Sequence, residues 1–400
     1  MDVIKLLVLF AIIVIVLATK RPLWQAIIAG TLALAAEYQI SPLQWPLLIS
    51  KVFTTWGSLS VLLSIYFITY LQRMLEARQQ IKLASQDLNG MFHNRRVNAA
   101  VAPLFIGLLP SAAAMILCAD LVKEATDGYL KPIQQAFVTT WIRHIPESSL
   151  PTYASVLLMS SMTGVSLGSF IPHMLLPIAV LALIGYYPLL ARLPKDPGTP
   201  ESNNRLGDFC NLLKHLWTLL AILFLILCFK LGVVVSVIIV IAAGLVYYRF
   251  DVQSMGKMFI SAFEKKLLLN SFLVLILKEF IAVTGALTRL PEVLVQLPIP
   301  MYMVFAILFF VGGIFCGTTG IIAMGTPLAY SAMDGGMPLM VLLMGTVHAA
   351  MQISPTHVCL VVASEQYGVS MGEIIRNTIP RSLLFAAFMI VYYKFLLFIY

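Results

Sequence analysis

The chain has 400 residues, of which 60% are hydrophobic and only 11% are charged, and its formal net charge is +8. Ordinary soluble proteins contain roughly 25% charged residues, so this composition excludes a soluble globular protein and predicts a helical bundle in a lipid bilayer. The basic residues lie at the ends of apolar runs, as in cytoplasmic loops of membrane proteins, and do not indicate nucleic-acid binding. The five cysteines show no paired pattern, so we predict neither a disulfide framework nor a zinc site.

Apolar runs of about 20 residues predict membrane-spanning helices. The first half contains runs near 3–19, 22–38, 47–72, 98–122, 132–163 and 168–193. The second half contains runs near 211–229, 231–248, 267–283, 302–330, 337–366 and 376–396. Two runs in each half are interrupted by Pro, Gly and hydroxyl residues, which favour helix breaks. We therefore predict an all-α membrane protein of two inverted repeats, each with about five transmembrane helices, one re-entrant helical hairpin and one broken helix.

The two halves are related by a repeat with an offset of 204 residues. Pro151-Thr152 corresponds to Pro355-Thr356, and the segment 164–168 corresponds to 368–372. We predict an N-terminal repeat at 1–193, a cytoplasmic linker at 194–208 and a C-terminal repeat at 209–400. The alternative is chance similarity between helix ends that are rich in small residues.

The distribution of basic residues predicts that the repeats are inverted. Lys and Arg concentrate at 73–96 in the first half and at 249–266 in the second half. Cytoplasmic loops carry the excess of Lys and Arg, so corresponding loops of the two halves are expected on opposite sides of the membrane. We expect both termini outside the cytoplasm, with the stretches 73–98 and 194–208 inside it.

Interrupted helices at matching positions of two inverted halves are typical of transporter binding sites. A break exposes free backbone N–H and C=O groups, and such groups bind ions or polar ligands where they line a water-filled cavity. The alternative is kinked helices that pack through small residues. The hydroxyl and amide side chains at the breaks are candidate ligand-binding groups: Ser111, Ser148, Ser149, Thr152, Thr318, Thr319, Gln352, Ser354 and Thr356.

Ionisable side chains at the breaks are further candidates, because such groups are costly inside a membrane and are functional by default. They are Arg143, His144, Glu147 and His348. We expect Arg143 to lie in or beside a central cavity and to attract an anion. In the alternatives Arg143 neutralises Glu147 or extends to the membrane interface, and the two histidines are hydrogen-bonded packing residues.

The run 109–115 (LPSAAAM), followed by 140–147 (TWIRHIPE), resembles an uncharacterised family of bacterial and archaeal integral membrane proteins of unknown function. The resemblance covers nearly the whole chain. That family is grouped with the ion transporter superfamily, beside gluconate, citrate and dicarboxylate permeases. In the dicarboxylate symporters of that superfamily, Ser-Asn-Thr motifs at the hairpin tips contact sodium and the carboxylate. The corresponding tips in this sequence would be 110–112 and 318–320, and neither contains Asn.

We predict a secondary active transporter of the cell membrane, with a small organic anion as substrate and H⁺ or Na⁺ as coupling ion. The sequence has no Gly-rich phosphate loop, nucleotide fingerprint or nucleophile elbow, so we expect neither ATP-driven transport nor an enzyme. We expect no cofactor and no metal. The partners are the anion and the lipid bilayer, and a homodimer is compatible with the sequence. The alternatives are a non-transporting membrane protein, such as a sensor or assembly partner, and, least favoured, an intramembrane enzyme.

Overall fold

The computed structural model describes residues 21–108, 112–196, 204–285, 298–355 and 357–400, together with separate positions between 5 and 19. Helices are the regular elements of these residues, and no strand occurs among them. The α-helices are α1 (Leu23–Glu37), α2 (Trp45–Thr54), α3 (Trp56–Ala77), α4 (Gln80–Phe92), α5 (Arg95–Ile106), α6 (Ala112–Thr126), α7 (Pro132–His144), α8 (Ala154–Thr163), α9 (Leu167–His173), α10 (Leu175–Tyr186), α11 (Arg205–Leu227), α12 (Val233–Tyr247), α13 (Val252–Ser261), α14 (Lys265–Val283), α15 (Met301–Ala332), α16 (Gly336–Met351), α17 (Val358–Tyr367) and α18 (Met371–Ile399).

Within the described residues, five helical segments are long and apolar enough to cross a bilayer. They are α3, α9 together with α10, α11, α15 and α18. Their outer surfaces carry exposed apolar side chains such as Leu183, Phe224 and Phe395. Water would not tolerate so much exposed apolar surface, whereas lipid chains do. The predicted all-α membrane fold is therefore confirmed.

The shorter apolar helices follow from the breaks that the sequence predicts. Helix α7 ends at His144, a 3₁₀ turn occupies Ile145–Ser148, and α8 begins at Ala154. In the second half α16 ends at Met351 and α17 begins at Val358. These breaks divide each predicted span into two pieces that are shorter than the roughly 20 residues a crossing needs.

The predicted repeat is present in the structure with the predicted offset. Gly164 and Gly368 both end a helix in the left-handed conformation, with φ of 71° and 62°. Ser160 and Ser364 each donate a hydrogen bond to the carbonyl group five residues later. The serine two residues after each glycine accepts a hydrogen bond as the N-cap of the next helix. Matching caps at corresponding positions show that this segment folds alike in the two halves.

Helices of one repeat pack against helices of the other in corresponding pairs. Helix α1 packs against α14, and the corresponding helix α12 packs against α3. In the same way α6 packs against α17, and α8 packs against α15. Reciprocal pairing of this kind is the signature of two-fold symmetry. Equivalent parts of the two repeats therefore meet at a shared interface.

The polar stretch at 73–98 differs from the loop-like segment that its composition suggested. It contains the end of α3, all of α4 and the start of α5. The stretch also contacts the predicted linker. The backbone N–H of Arg95 donates to the carbonyl of Lys195 at 2.8 Å, and Arg96 Nε donates to the carbonyl of Leu193 at 2.5 Å. The two basic stretches therefore lie on the same side of the protein.

Candidate functional site

A cavity of about 610 Å³ is lined by residues of both repeats. Its walls come from α3, the break between α7 and α8 with the start of α8, the start of α14 with the preceding residue, the break in α15 and the residue before α17. The polar side chains that define its chemistry are Arg73, Glu147, Thr152, Glu264, Thr318, Thr319 and His357. A pocket with a few convergent polar groups at the interface of two repeats is the expected form of a ligand site.

Four of the residues predicted from the sequence line this cavity: Glu147, Thr152, Thr318 and Thr319. Seven others are buried and do not line it: Arg143, His144, Ser148, Ser149, His348, Gln352 and Ser354. Ser111 and Thr356 lie outside the described residues. The structure thus brings together predicted residues from breaks in both halves of the chain.

Two helix N-termini face the cavity. Helix α8 begins at Ala154, which lines the cavity with the neighbouring Tyr153 and Ser155. Helix α15 is interrupted at Gly317, with φ 70° and ψ 169°, and resumes at Thr318 on the cavity wall. The first N–H groups of a helix have no partner within the helix and carry partial positive charge. Both ends are therefore suited to an anion or to a polar oxygen.

Three formal charges line the cavity. Arg73 forms an ion pair with Glu264, and its Nη1 lies 3.0 Å from Oε2 of Glu76. Glu147, at the break after α7, supplies a second carboxylate to the wall. The cavity thus combines one guanidinium with two carboxylates, so it offers groups of both signs to ligands.

Arg143 lies beside the cavity but not in its lining. Its side chain is buried, and its Nη1 lies 3.5 Å from Sγ of Cys359. It is within electrostatic range of Tyr153 and Glu147, and both of those residues do line the cavity. The hydroxyl of Tyr153 donates to the carbonyl of Gly107 and so ties the end of α5 to this break. The cavity's own cationic side chain is Arg73, which the sequence analysis did not select.

Several predicted residues stabilise the breaks. Ser354 Oγ donates to the carbonyl of Ile314 at 2.7 Å, just before the interruption at Gly317. Ser148 Oγ donates to the carbonyl of Ile145 at 2.7 Å. These hydroxyls satisfy carbonyl groups near helix breaks, which would otherwise be costly in a buried site.

Two hydroxyls at the first break have no hydrogen-bond partner among the described residues. They are Ser149 Oγ and Thr152 Oγ1, and both atoms are buried. Buried polar atoms are nearly always hydrogen-bonded, so such a group suggests a ligand or water that completes it. Thr152 lines the cavity, and its hydroxyl is therefore the stronger candidate for ligand contact.

Sequence reasoning missed Arg73, Glu264 and His357. Arg73 and Glu264 lie in polar stretches that were interpreted as loops, and only the packing of α3 and α14 brings them to the cavity. His357 directly follows the predicted break at 352–356, and this adjacency could have identified it.

A second cavity of about 700 Å³ lies by the N-terminal end of α3 and the turn between α11 and α12. Its described lining is formed by small, hydroxyl and apolar residues, with Lys230 as the charged member. No carboxylate or histidine occurs in that lining. The smaller cavity, where the helix breaks and the polar groups converge, is therefore the candidate functional site.

Comparisons with known proteins agree with a membrane fold. A sequence profile of the family described as "Protein of unknown function (DUF401)" matches residues 3–396. The fold is similar to the crystal structure of the YdaH transporter of Alcanivorax borkumensis, which is described as having an unusual topology, with a TM-score of 0.63 and 15% sequence identity. That similarity covers 88% of this chain and 87% of the transporter chain. No curated protein matches this chain.

Proposed function

Because the chain belongs to the DUF401 family of proteins of unknown function and shares its fold with a membrane transporter, we propose that it is a secondary active transporter. We further propose that the substrate is a small organic anion, that the coupling ion is H⁺ or Na⁺, and that the protein works in the cell membrane. The observation that carries the proposal is the cavity where helix breaks from both repeats meet.

An anionic substrate is supported by the cavity's positive groups. The helix ends at Ala154 and Thr318 line the cavity, and the N-terminus of a helix favours negative charge. Arg73 adds a guanidinium, which can bind the carboxylate of a substrate when it exchanges its bond to Glu76 or Glu264 for that carboxylate. Hydroxyls of Thr318 and Thr319 line the same wall. A carboxylate bound among these groups would be held by charge and by hydrogen bonds together.

A coupling cation is supported by the two carboxylates. Glu147 and Glu264 come from different repeats and line the same cavity as the proposed anion site. A carboxylate can take up a proton, and carboxylate and hydroxyl oxygens are ligands that hard cations prefer. A cation bound there would offset the charge of the anion, so the two would bind more tightly together than separately. That coupling is what a symporter requires.

The resemblance to the ion transporter superfamily supports re-entrant hairpins in both repeats. The hairpins would be α5 with α6 in the first repeat and the two parts of α15 in the second.

Reconstitution into liposomes distinguishes a transporter from a sensor or an assembly partner. Purified protein in liposomes is given radiolabelled mono-, di- and tricarboxylates under an imposed Na⁺ or proton gradient. Uptake that depends on one gradient is expected, and no uptake of any anion under either gradient would contradict the proposal.

Variants connect uptake to the cavity. Arg73→Gln should lower uptake about tenfold or more, since a hydrogen bond to a charged group contributes about 1.5–3 kcal/mol. Arg376→Gln on the exposed face of α18 is the matched control and should transport normally. Glu147→Gln should alter the dependence on the driving ion, with the exposed Glu365→Gln as its control. Normal uptake and normal ion coupling in both cavity variants would show that the substrate and the coupling ion bind elsewhere.

A further inference from the structure

A cluster of three potential metal ligands lies where the two repeats meet. His144 ends α7 of the first repeat, and His357 and Cys359 stand at the start of α17 of the second. The Nε2 atoms of the two histidines are 2.9 Å apart, and their ring centroids are 4.6 Å apart. One nitrogen of each ring and Sγ of Cys359 all lie within 4.8 Å of one another.

This donor set matches the preferences of Zn²⁺. Imidazole nitrogens and thiolate sulfur are its usual protein ligands, with Zn–N distances of about 2.0–2.1 Å and Zn–S of about 2.3 Å. Two nitrogens of a tetrahedral zinc ion are therefore about 3.3 Å apart. The observed 2.9 Å between the histidine nitrogens needs only a small side-chain rotation to reach that spacing. Side-chain rotations of this size leave the backbone unchanged.

Two charged side chains, Arg143 and Glu147, lie close to Cys359. Arg143 Nη1 lies 3.5 Å from the Cys359 sulfur. Its guanidinium repels a cation. Glu147 interacts with both Arg143 and Cys359 and offsets that repulsion.

The cluster is connected to the cavity. His357 lines the cavity, whereas His144 is fully buried behind it. An ion held by three protein ligands retains a fourth position for water or for a ligand oxygen, as zinc sites with exchangeable ligands do. We propose that His144, His357 and Cys359 bind Zn²⁺, with the fourth position directed towards the cavity. A bound ion ties α7 of one repeat to α17 of the other.

The proposal concerns metal binding and does not depend on whether the protein transports an anion. Chelator-treated protein in detergent is titrated with Zn²⁺ against a chromogenic zinc indicator. One equivalent per chain is expected. Cys359→Ser and His144→Gln should each weaken binding by about tenfold or more, because each removes a direct ligand. Cys316→Ser, which changes another buried cysteine, should bind as the wild type does. Absence of binding, or equal binding in all variants, would overturn the proposal.

Two measurements on the wild-type protein avoid reliance on variants that fail to fold. Co²⁺ in place of Zn²⁺ should give a sulfur-to-metal charge-transfer band, and its absence would contradict the thiolate ligand. Zn²⁺ should also protect Cys359 from alkylation, as read by peptide mass spectrometry, while the exposed Cys210 continues to react. Equal alkylation of Cys359 with and without Zn²⁺ would count against the site.

Discussion

The backbone of Gly107 packs directly against the carbonyl group of Arg143. A methyl group on Gly107 would overlap the carbonyl oxygen and come 3.0 Å from the carbonyl carbon. The end of α5 thus packs backbone to backbone against the last turn of α7, beside the cavity wall. Only glycine permits such an approach.

Gly107→Ala should therefore destabilise the protein by about 1–3 kcal/mol, since overpacking forces the neighbouring backbone to shift. Thermal unfolding in detergent would measure the effect as a lower Tm. Gly256→Ala is the matched control, because a methyl group on this exposed helical glycine meets nothing within 4 Å. That control should unfold at the same or a higher temperature, given the better helix propensity of alanine. A normal Tm for Gly107→Ala would show that this contact can relax.

Gly317→Ala tests the break in α15. Its φ of 70° and ψ of 169° lie in a region that is essentially restricted to glycine, so a side chain there costs of order 1–3 kcal/mol. We expect a lower Tm, and reduced transport if the break positions Thr318 at the cavity. Gly232→Ala is a suitable control, because Gly232 has an ordinary φ of −63° and open space around it. Equal stability of the two variants would contradict the strained break.

Variants of Arg143 and Glu147 distinguish a role of Arg143 in substrate binding from a role in stabilising the fold. If Arg143 attracts the substrate, Arg143→Lys should weaken binding and Arg143→Ala should weaken it more, with folding largely retained. If Arg143 instead only neutralises Glu147, Arg143→Ala leaves a buried carboxylate unpaired and should lower stability by about 3–5 kcal/mol, and adding Glu147→Ala should restore part of it. Because Arg143 is buried and absent from the cavity lining, we expect the second outcome.

Thermal unfolding and uptake are measured for Arg143→Ala, for Glu147→Ala and for the double variant. These measurements distinguish a role of Arg143 in substrate binding from a role in stability. Partial recovery of Tm in the double variant is the expected result. Full transport in that double variant would exclude Arg143 as a substrate-binding residue. Independent, additive losses of stability would exclude the pairing account.

Membrane topology is the fourth prediction. The stretches 73–98 and 194–208 are predicted to be cytoplasmic, and the contact between Arg95 and Lys195 requires them to share a side. Cysteines introduced at the exposed positions Gln86 and Asp196 should react with an impermeant reagent from the cytoplasmic side only. The background would carry Cys210→Ser and Cys228→Ser, which remove the native exposed thiols. Labelling of the two positions from opposite sides would contradict both the topology and the structure.

The sequence by itself determined the class of fold, the repeat and the helix breaks. Each of these depends on properties that act locally along the chain. Apolar runs require a bilayer, and the glycines at 164 and 368 end their helices through their own backbone freedom. The breaks at 145–153 and 352–357 follow from local Pro and hydroxyl residues, so they could be placed before any packing was known.

Only the tertiary structure decided which side chains reach the cavity. Arg73 and Glu264 lie far apart in the chain and meet there because α3 continues beyond its apolar run and the repeats pack reciprocally. Arg143 and His144 do not line the cavity although they stand at a predicted break. The pairing of His144 with His357 joins residues 213 positions apart, which no spacing motif could reveal. Side-chain orientation depends on helix rotation and on the partner repeat, and neither is encoded in a local pattern.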